Sequence, residues 1–193
     1  MQLHKRDVVE AATSLLDDYG IADLSMRRVA RELAVSPGAL YWHFASKQQL
    51  LGAVADRILE AITAPAAGPG HWRDRFVGIC GRLREALLSH TDGAELVAAS
   101  FAAGQSQTMA DVLTQLSTAA TDAGMTSGHA ELAARTVIYY TLGFTANEQS
   151  RMQWDAAGAD VAHTVWTDNP TARFDFGLGL LVDGIAAHNR ADA

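Results

Sequence analysis

The 193-residue sequence contains a single cysteine, Cys80, which excludes an internal disulfide framework and a zinc centre built on several thiolates. A lone thiol of this kind is expected to be a small buried hydrophobe. Prolines number only four, which favours long helices over a sandwich or barrel. No apolar run is long enough to cross a membrane. The start, Met1 to Asp7, leads directly into an amphipathic pattern without the apolar core of a signal peptide. A cytoplasmic chain with no membrane partner is therefore expected. Positive charge is also in short supply, the formal net charge being -7. Taken alone, that argues against nucleic acid.

The distribution of charge argues the other way. Between Leu24 and Lys47 the charged side chains are Arg27, Arg28, Arg31 and Lys47 against Glu32, a local excess of +3. Residues 64–193 carry 8 basic and 14 acidic groups. A basic patch on an acidic body suits a DNA-binding protein, because only the docking surface must attract phosphate. Apolar residues make up 49% of the chain, enough for a real core.

Val8, Val9, Ala12, Leu15, Leu16 and Tyr19 recur at helical spacing, which predicts a helix over 5–19 ended by Gly20. Ser25 is placed to cap a second helix, with Val29, Ala30 and Leu33 inward and three arginines outward. Ser36-Pro37 restarts the chain as N-cap and first helical residue, opening a short third helix to about Phe44. Ser46 caps a fourth, with Gln49 completing a capping box, and its apolar face runs from Leu50 to Ile62. The stretch Ala64 to Gly70 breaks the pattern with two prolines and two glycines and reads as a linker. Beyond it, helices are expected over 72–90, 93–103, 108–123, 129–150 and 171–189, with the polar stretch 153–169 left unassigned and no strand anywhere. The fold class is all-α: an N-terminal three-helix head, residues 1–63, and a larger helical body, residues 71–190.

Two short helices joined by a tight turn, the second opened by Ser-Pro, describe a helix-turn-helix. The pattern Leu40-Tyr41-Trp42-His43-Phe44, then Lys47 and Leu50-Leu51, resembles the head of the TetR family of bacterial regulators across residues 5–63. The residues agree with that reading physically. Gly38 and Ala39 are small where the backbone would approach base edges. Tyr41, Trp42, His43 and Lys47 flank them, and Leu40 and Phe44 face the head's own core. Arg27 and Arg28 open the second helix beside the caps Ser25, Ser36 and Pro37, in reach of a guanine edge or a phosphate. The bland alternative is a small helical core with a solvated arginine face. It explains one motif but not the combined pattern.

The resemblance continues into the body. Trp72, Ala86 to Ala94, Thr141-Leu142-Gly143 with Glu148-Gln149, and Phe176-Gly177-Leu178 are similar to the ligand-binding part of the tetracycline-repressor subclass. Departures from that pattern decide the ligand. Two histidines that grip the drug and its magnesium ion match Thr63 and Val97 here, a water-orienting carboxylate matches Asn147, and a pocket glutamine matches Leu116. Val97 and Asn147 provide neither ligand nor charge for Mg²⁺. By resemblance, Thr63, Ile79, Leu83, Val97, Leu116, Tyr139 and Asn147 line the pocket, which implies a mostly apolar effector with Thr63, Tyr139 and Asn147 as polar partners.

No metal site or cofactor is expected. His71, His90, His129, His163 and His188 show no ligand spacing, and no nucleophile triad, phosphate loop or dinucleotide fingerprint appears. His90 matches a structural loop histidine. The expected protein is not an enzyme but a homodimeric repressor, released from palindromic double-stranded operator DNA by a small-molecule effector. Dimerisation is expected through 129–149 and 171–189, where Gly177, Gly179, Gly184 and Ala186 permit close approach and Leu181 lies on the apolar side. A competing reading is an enzyme or carrier with a vestigial head, against which the intact Arg27, Tyr41, His43 and Lys47 speak.

Overall fold

The computed structural model describes residues 3–63, 71–159 and 169–191. The expected linker 64–70, most of the unassigned polar stretch, and His163 lie outside the described residues, as does the side chain of Thr63. Among the described residues the chain is all-helical: α1 (Lys5–Tyr19), α2 (Met26–Glu32), α3 (Pro37–Tyr41), α4 (Lys47–Ile58), α5 (Trp72–Leu88), α6 (Gly93–Ala102), α7 (Gln107–Asp122), α8 (Ser127–Ala156) and α9 (Pro170–Ala191). The 3-10 turns Ile21–Asp23 and Glu60–Thr63 follow α1 and α4.

Two compact units emerge. The first joins residues 1–61 to residues 86–110, and the second joins 62–85 to 111–193. The first unit holds together because α4 packs along α6, and because bonds of long sequence separation hold residues 90–92 and 105–108 to the first helices.

In the first unit, α1 packs on α2 and α4 through Val8, Ala12, Leu15 and Leu16, which meet a core of Leu24, Val29, Ala30, Leu40, Leu50 and Val54. Burying each such side chain is favourable by roughly 1.5–3 kcal/mol. Gly20 ends α1 with φ 76° and donates its N–H to the Leu16 carbonyl at 2.8 Å. The positive φ requires glycine, and a Cβ there would also displace the Asp92 carboxylate, whose Oδ2 lies 2.6 Å from its position. That carboxylate accepts the next N–H, from Ile21, at 2.9 Å. Asp17 completes the clamp by accepting from Thr91 N–H at 3.2 Å and lying 3.0 Å from His90 Nδ1, so His90 is a hydrogen-bonded loop residue.

Two further contacts fix α4. Gly52 has no room for a Cβ against the Gln105 carbonyl. Asp56 accepts from Ser106 Oγ at 2.7 Å and from Thr108 N–H at 3.0 Å, capping the start of α7. α4 itself ends at Ile58, earlier than its apolar stripe suggests, and the chain turns tighter through Glu60–Thr63.

In the second unit α8 packs on α9. Val137, Ile138, Thr141, Leu142 and Thr145 face inward from α8, and Phe174, Leu178, Val182 and Ile185 from α9. The Tyr140 hydroxyl donates to the Phe174 carbonyl at 2.9 Å, and its ring stacks on Phe174. Burial is the main reason the Tyr140 phenol is raised from its ordinary pKa, Asp175 adding to it while Arg84 and Arg173 oppose it. A Cβ on Gly177 would collide with the Tyr140 hydroxyl, so this glycine serves packing within one chain.

Candidate nucleic-acid interface

The interface residues stand on three successive capped helix starts. Ser25 Oγ accepts the Arg28 N–H at 3.3 Å, Ser36 Oγ the Ala39 N–H at 3.3 Å, and Ser46 Oγ the Gln49 N–H at 3.2 Å. Each cap satisfies a helix-end donor, and all three follow the sequence expectation. The Gln49 side chain returns to the N–H of Ala45, one residue ahead of the cap, rather than to Ser46 itself. Pro37 occupies the first position of α3, where the missing N–H costs nothing.

The turn between α2 and α3 closes with Val35 N–H on the Ala30 carbonyl at 2.9 Å and Ala34 N–H on Arg31 at 3.1 Å. Ala34 adopts φ 53°, a left-handed torsion at a residue with a Cβ. α3 ends at Tyr41 rather than near Phe44, because the N–H groups of both His43 and Phe44 close on the Leu40 carbonyl. Leu40 and Phe44 are buried, as their spacing predicts.

What remains outside is distinctive. Trp42 is 90% exposed, a large ring that buries almost nothing within the chain, and Tyr41 is 53% exposed. The two rings are adjacent at the end of α3, where they extend the exposed basic surface with aromatic groups. His43 is half-buried beside them. Arg27 and Lys47 are exposed and form no ion pair among the described residues. A Cβ on Gly38 would meet nothing closer than Ser36 Oγ at 3.8 Å, so no internal contact demands glycine there.

Arg28 differs from the expectation. Its Nη1 lies 2.8 Å from Asp23 Oδ1, and its guanidinium sits 4.0 Å over the Tyr19 ring. It braces α2 against the end of α1 instead of standing open beside Arg27. The Lys5 ammonium, 5.7 Å from the Phe44 ring centroid, adds a basic group to this unit that the motif alone did not point to.

The effector candidates divide. Ile79, Leu83 and Leu116 are buried in the second unit, and Val97 is buried in the first. Tyr139 is 58% exposed and Asn147 is exposed, because both lie on the side of α8 away from its buried row. Among the described contacts none joins them to Ile79 or Leu83. A separate solvent-open cleft of about 460 Å³ in the first unit, between Thr13, Arg57 and Ser89-His90, shares no residue with the expected set.

A capped two-helix turn carrying exposed basic and aromatic side chains defines a helix-turn-helix DNA-binding regulator. The chain belongs to the TetR family: residues 8–54 match the model of bacterial regulatory proteins of the tetR family, and residues 64–165 match the tetracyclin repressor-like C-terminal domain. It is 31% identical to the class C tetracycline repressor of Escherichia coli, over 95% of this chain and 91% of that protein. Among solved structures it resembles Mycobacterium smegmatis BioQ, with 60% identity, TM-score 0.90, and 97% and 99% of the two chains covered. It also resembles BioQ bound to its natural double-stranded DNA operator, with 57% identity, TM-score 0.85, and 97% and 100% covered. Its relatives are transcriptional regulators rather than enzymes.

Proposed function

We propose that this chain is a homodimeric repressor whose residues 1–63 hold double-stranded operator DNA and whose residues 71–190 dimerise and take a small, mostly apolar effector. The observation that carries the DNA reading is the outward set of Arg27, Tyr41, Trp42 and Lys47 around the capped start of α3. Arg27 and Lys47 neutralise phosphates, and Tyr41, Trp42 and His43 pack on the backbone and groove wall. Gly38 and Ala39 leave the α3 backbone close to the base edges. Ser25, Ser36 and Pro37 set the helix starts that aim these groups, and Arg28 holds α2 in place through Asp23. The likeness to an operator-bound structure at 57% identity supports the same partner class.

The effector reading rests on chemistry of the lining. Ile79, Leu83 and Leu116 are aliphatic and buried. Aliphatic surface favours an apolar ligand by about 25 cal/mol per Å² and leaves a dication unpaired. With Tyr139 and Asn147 turned outward, the polar contacts of the effector come from elsewhere than α8's exposed face.

Fluorescence anisotropy with a duplex from upstream of the protein's own gene tests this. Arg27→Ala and Lys47→Ala each weaken binding, and each reduces the salt slope by about one counterion. Unchanged affinity in both variants removes the helix-turn-helix from the mechanism. Release of the duplex by tetracycline, steeply dependent on added Mg²⁺, overturns the effector reading while leaving the DNA reading standing.

A further inference from the structure

His129 and His188 lie 59 positions apart in sequence, on the first turn of α8 and the last turns of α9. Packing of these helices brings the two rings together: their centroids are 5.1 Å apart at 76°, and His188 Nε2 is 3.4 Å from His129 Nδ1. Both side chains are exposed. Nothing in the DNA or effector reading uses them.

The spacing has a chemical meaning. Zinc binds imidazole nitrogen at about 2.0–2.1 Å, and two nitrogens at a tetrahedral angle on one ion then stand about 3.4 Å apart. Two nitrogens at a right angle on an octahedral ion stand only about 2.9 Å apart. A direct N–H···N hydrogen bond is the competing use of such a pair. At 3.4 Å it lies beyond the usual 2.7–3.2 Å range, so it is weak and readily displaced. The nitrogens involved are Nδ1 of one ring and Nε2 of the other, both ordinary metal-ligand atoms.

We propose that His129 and His188 form a two-imidazole chelate for a borderline divalent d-block cation of the zinc type. The pair selects against Mg²⁺ and Ca²⁺, which want oxygen ligands. Among the described residues no group of three or more His, Cys, Asp or Glu gathers around an ion position. In the proposed site water or an external ligand fills the remaining positions, and the affinity is below that of a closed structural site. The bound ion ties the beginning of α8 to the end of α9.

Calorimetric titration of the untagged full-length protein with ZnCl₂ tests the proposal. The expected result is one Zn²⁺ per chain, weakened about tenfold or more in His129→Ala and again in His188→Ala, and retained in His71→Ala. Both histidines are exposed, so the variants keep their fold, which circular dichroism verifies. Titration with Co²⁺ adds a geometric readout: intense visible d–d absorption marks four-coordination, and its loss in either variant assigns the ligands. MgCl₂ produces no binding heat attributable to the pair. Zinc affinity unchanged in both variants, or no zinc binding at millimolar concentration, overturns the proposal.

Discussion

Arg84 and Glu148 meet through two parallel hydrogen bonds, Nε to Oε2 at 3.0 Å and Nη2 to Oε1 at 2.7 Å, with side chains only 9% and 11% exposed. The fork joins α5 to α8. Arg84 also reaches Thr171 Oγ1 at 3.4 Å and lies 5.3 Å from the Phe174 ring centroid, so α9 shares the anchor. Such a pair recovers its desolvation cost only while both partners are present. Glu148→Leu, which strands a nearly buried guanidinium, is expected to lower stability by about 3–5 kcal/mol. The double variant Arg84→Met with Glu148→Leu should regain most of that loss. Urea unfolding of the three proteins checks it; a double variant no more stable than Glu148→Leu contradicts the account.

The turn of the helix-turn-helix carries a second measurable cost. Ala34 sits at φ 53°, where a Cβ is penalised by roughly 1–2 kcal/mol and glycine is not. Part of that gain is offset by the freer unfolded chain of a glycine variant. Ala34→Gly is therefore expected to stabilise the protein by about 1 kcal/mol, a Tm increase of about 2–4 °C. Operator affinity should not change, since Ala34 donates only its backbone to the turn. A decrease in Tm would show the torsion to be relieved elsewhere.

How much of this was readable in advance depended on range. Gly20, Ser25, Ser36-Pro37 and Ser46 act on neighbours three or four residues away, so their roles are written in adjacent letters. The burial of Leu40 and Phe44 followed from spacing alone. By contrast, the partners of the Asp56 and Asp92 carboxylates depend on which distant segments pack together. Nothing near Asp92 announces that it meets Gly20, and nothing near His129 announces His188. The exposure of Tyr139 and Asn147 was hidden for a related reason: likeness to a family assigns a position, whereas helical phase decides which way the side chain faces.

The outer faces of α8 and α9 hold the dimer prediction. Leu132 and Tyr139 on α8, and Phe176 and Leu180 on α9, are 58–70% exposed, and Gly179 and Gly184 have open space where a Cβ would be. Leu181 is half-buried against its own chain, so Leu180 is the sharper probe. Leu180→Asp is expected to weaken dimerisation about 100-fold, roughly 3 kcal/mol, with helicity retained. Sedimentation across a concentration series measures it. Wild-type and variant proteins with equal dimer dissociation constants would remove α9's outer face from the interface.

Cys80 provides a chemical probe of the second unit. Burial pushes its thiol up to about 12, a hydrogen bond with Thr141 opposing the shift. The folded protein therefore holds the neutral thiol, and stability tied to this group is complete below pH 9 and declines as pH rises toward 12. At pH 8 the native thiol is expected to resist a disulfide reagent and to react fully after denaturation. Rapid stoichiometric reaction of the folded protein would show that Cys80 is not enclosed.

Gly52 and Asp56 engage neighbouring residues of one short segment, Gln105 and Ser106 to Thr108, from positions one helical turn apart on α4. Two fixings on a stiff rod make a lever. Along the helix they are separated by about 6 Å, and Lys47 lies about 7.5 Å beyond Gly52 in the opposite direction. If the Asp56 fixing shifts sideways while Gly52 stays seated, Lys47 swings the other way by about 1.25 times the same distance. A sideways shift at residues 105–108 would thus reach the first residue of α4 reversed and slightly enlarged.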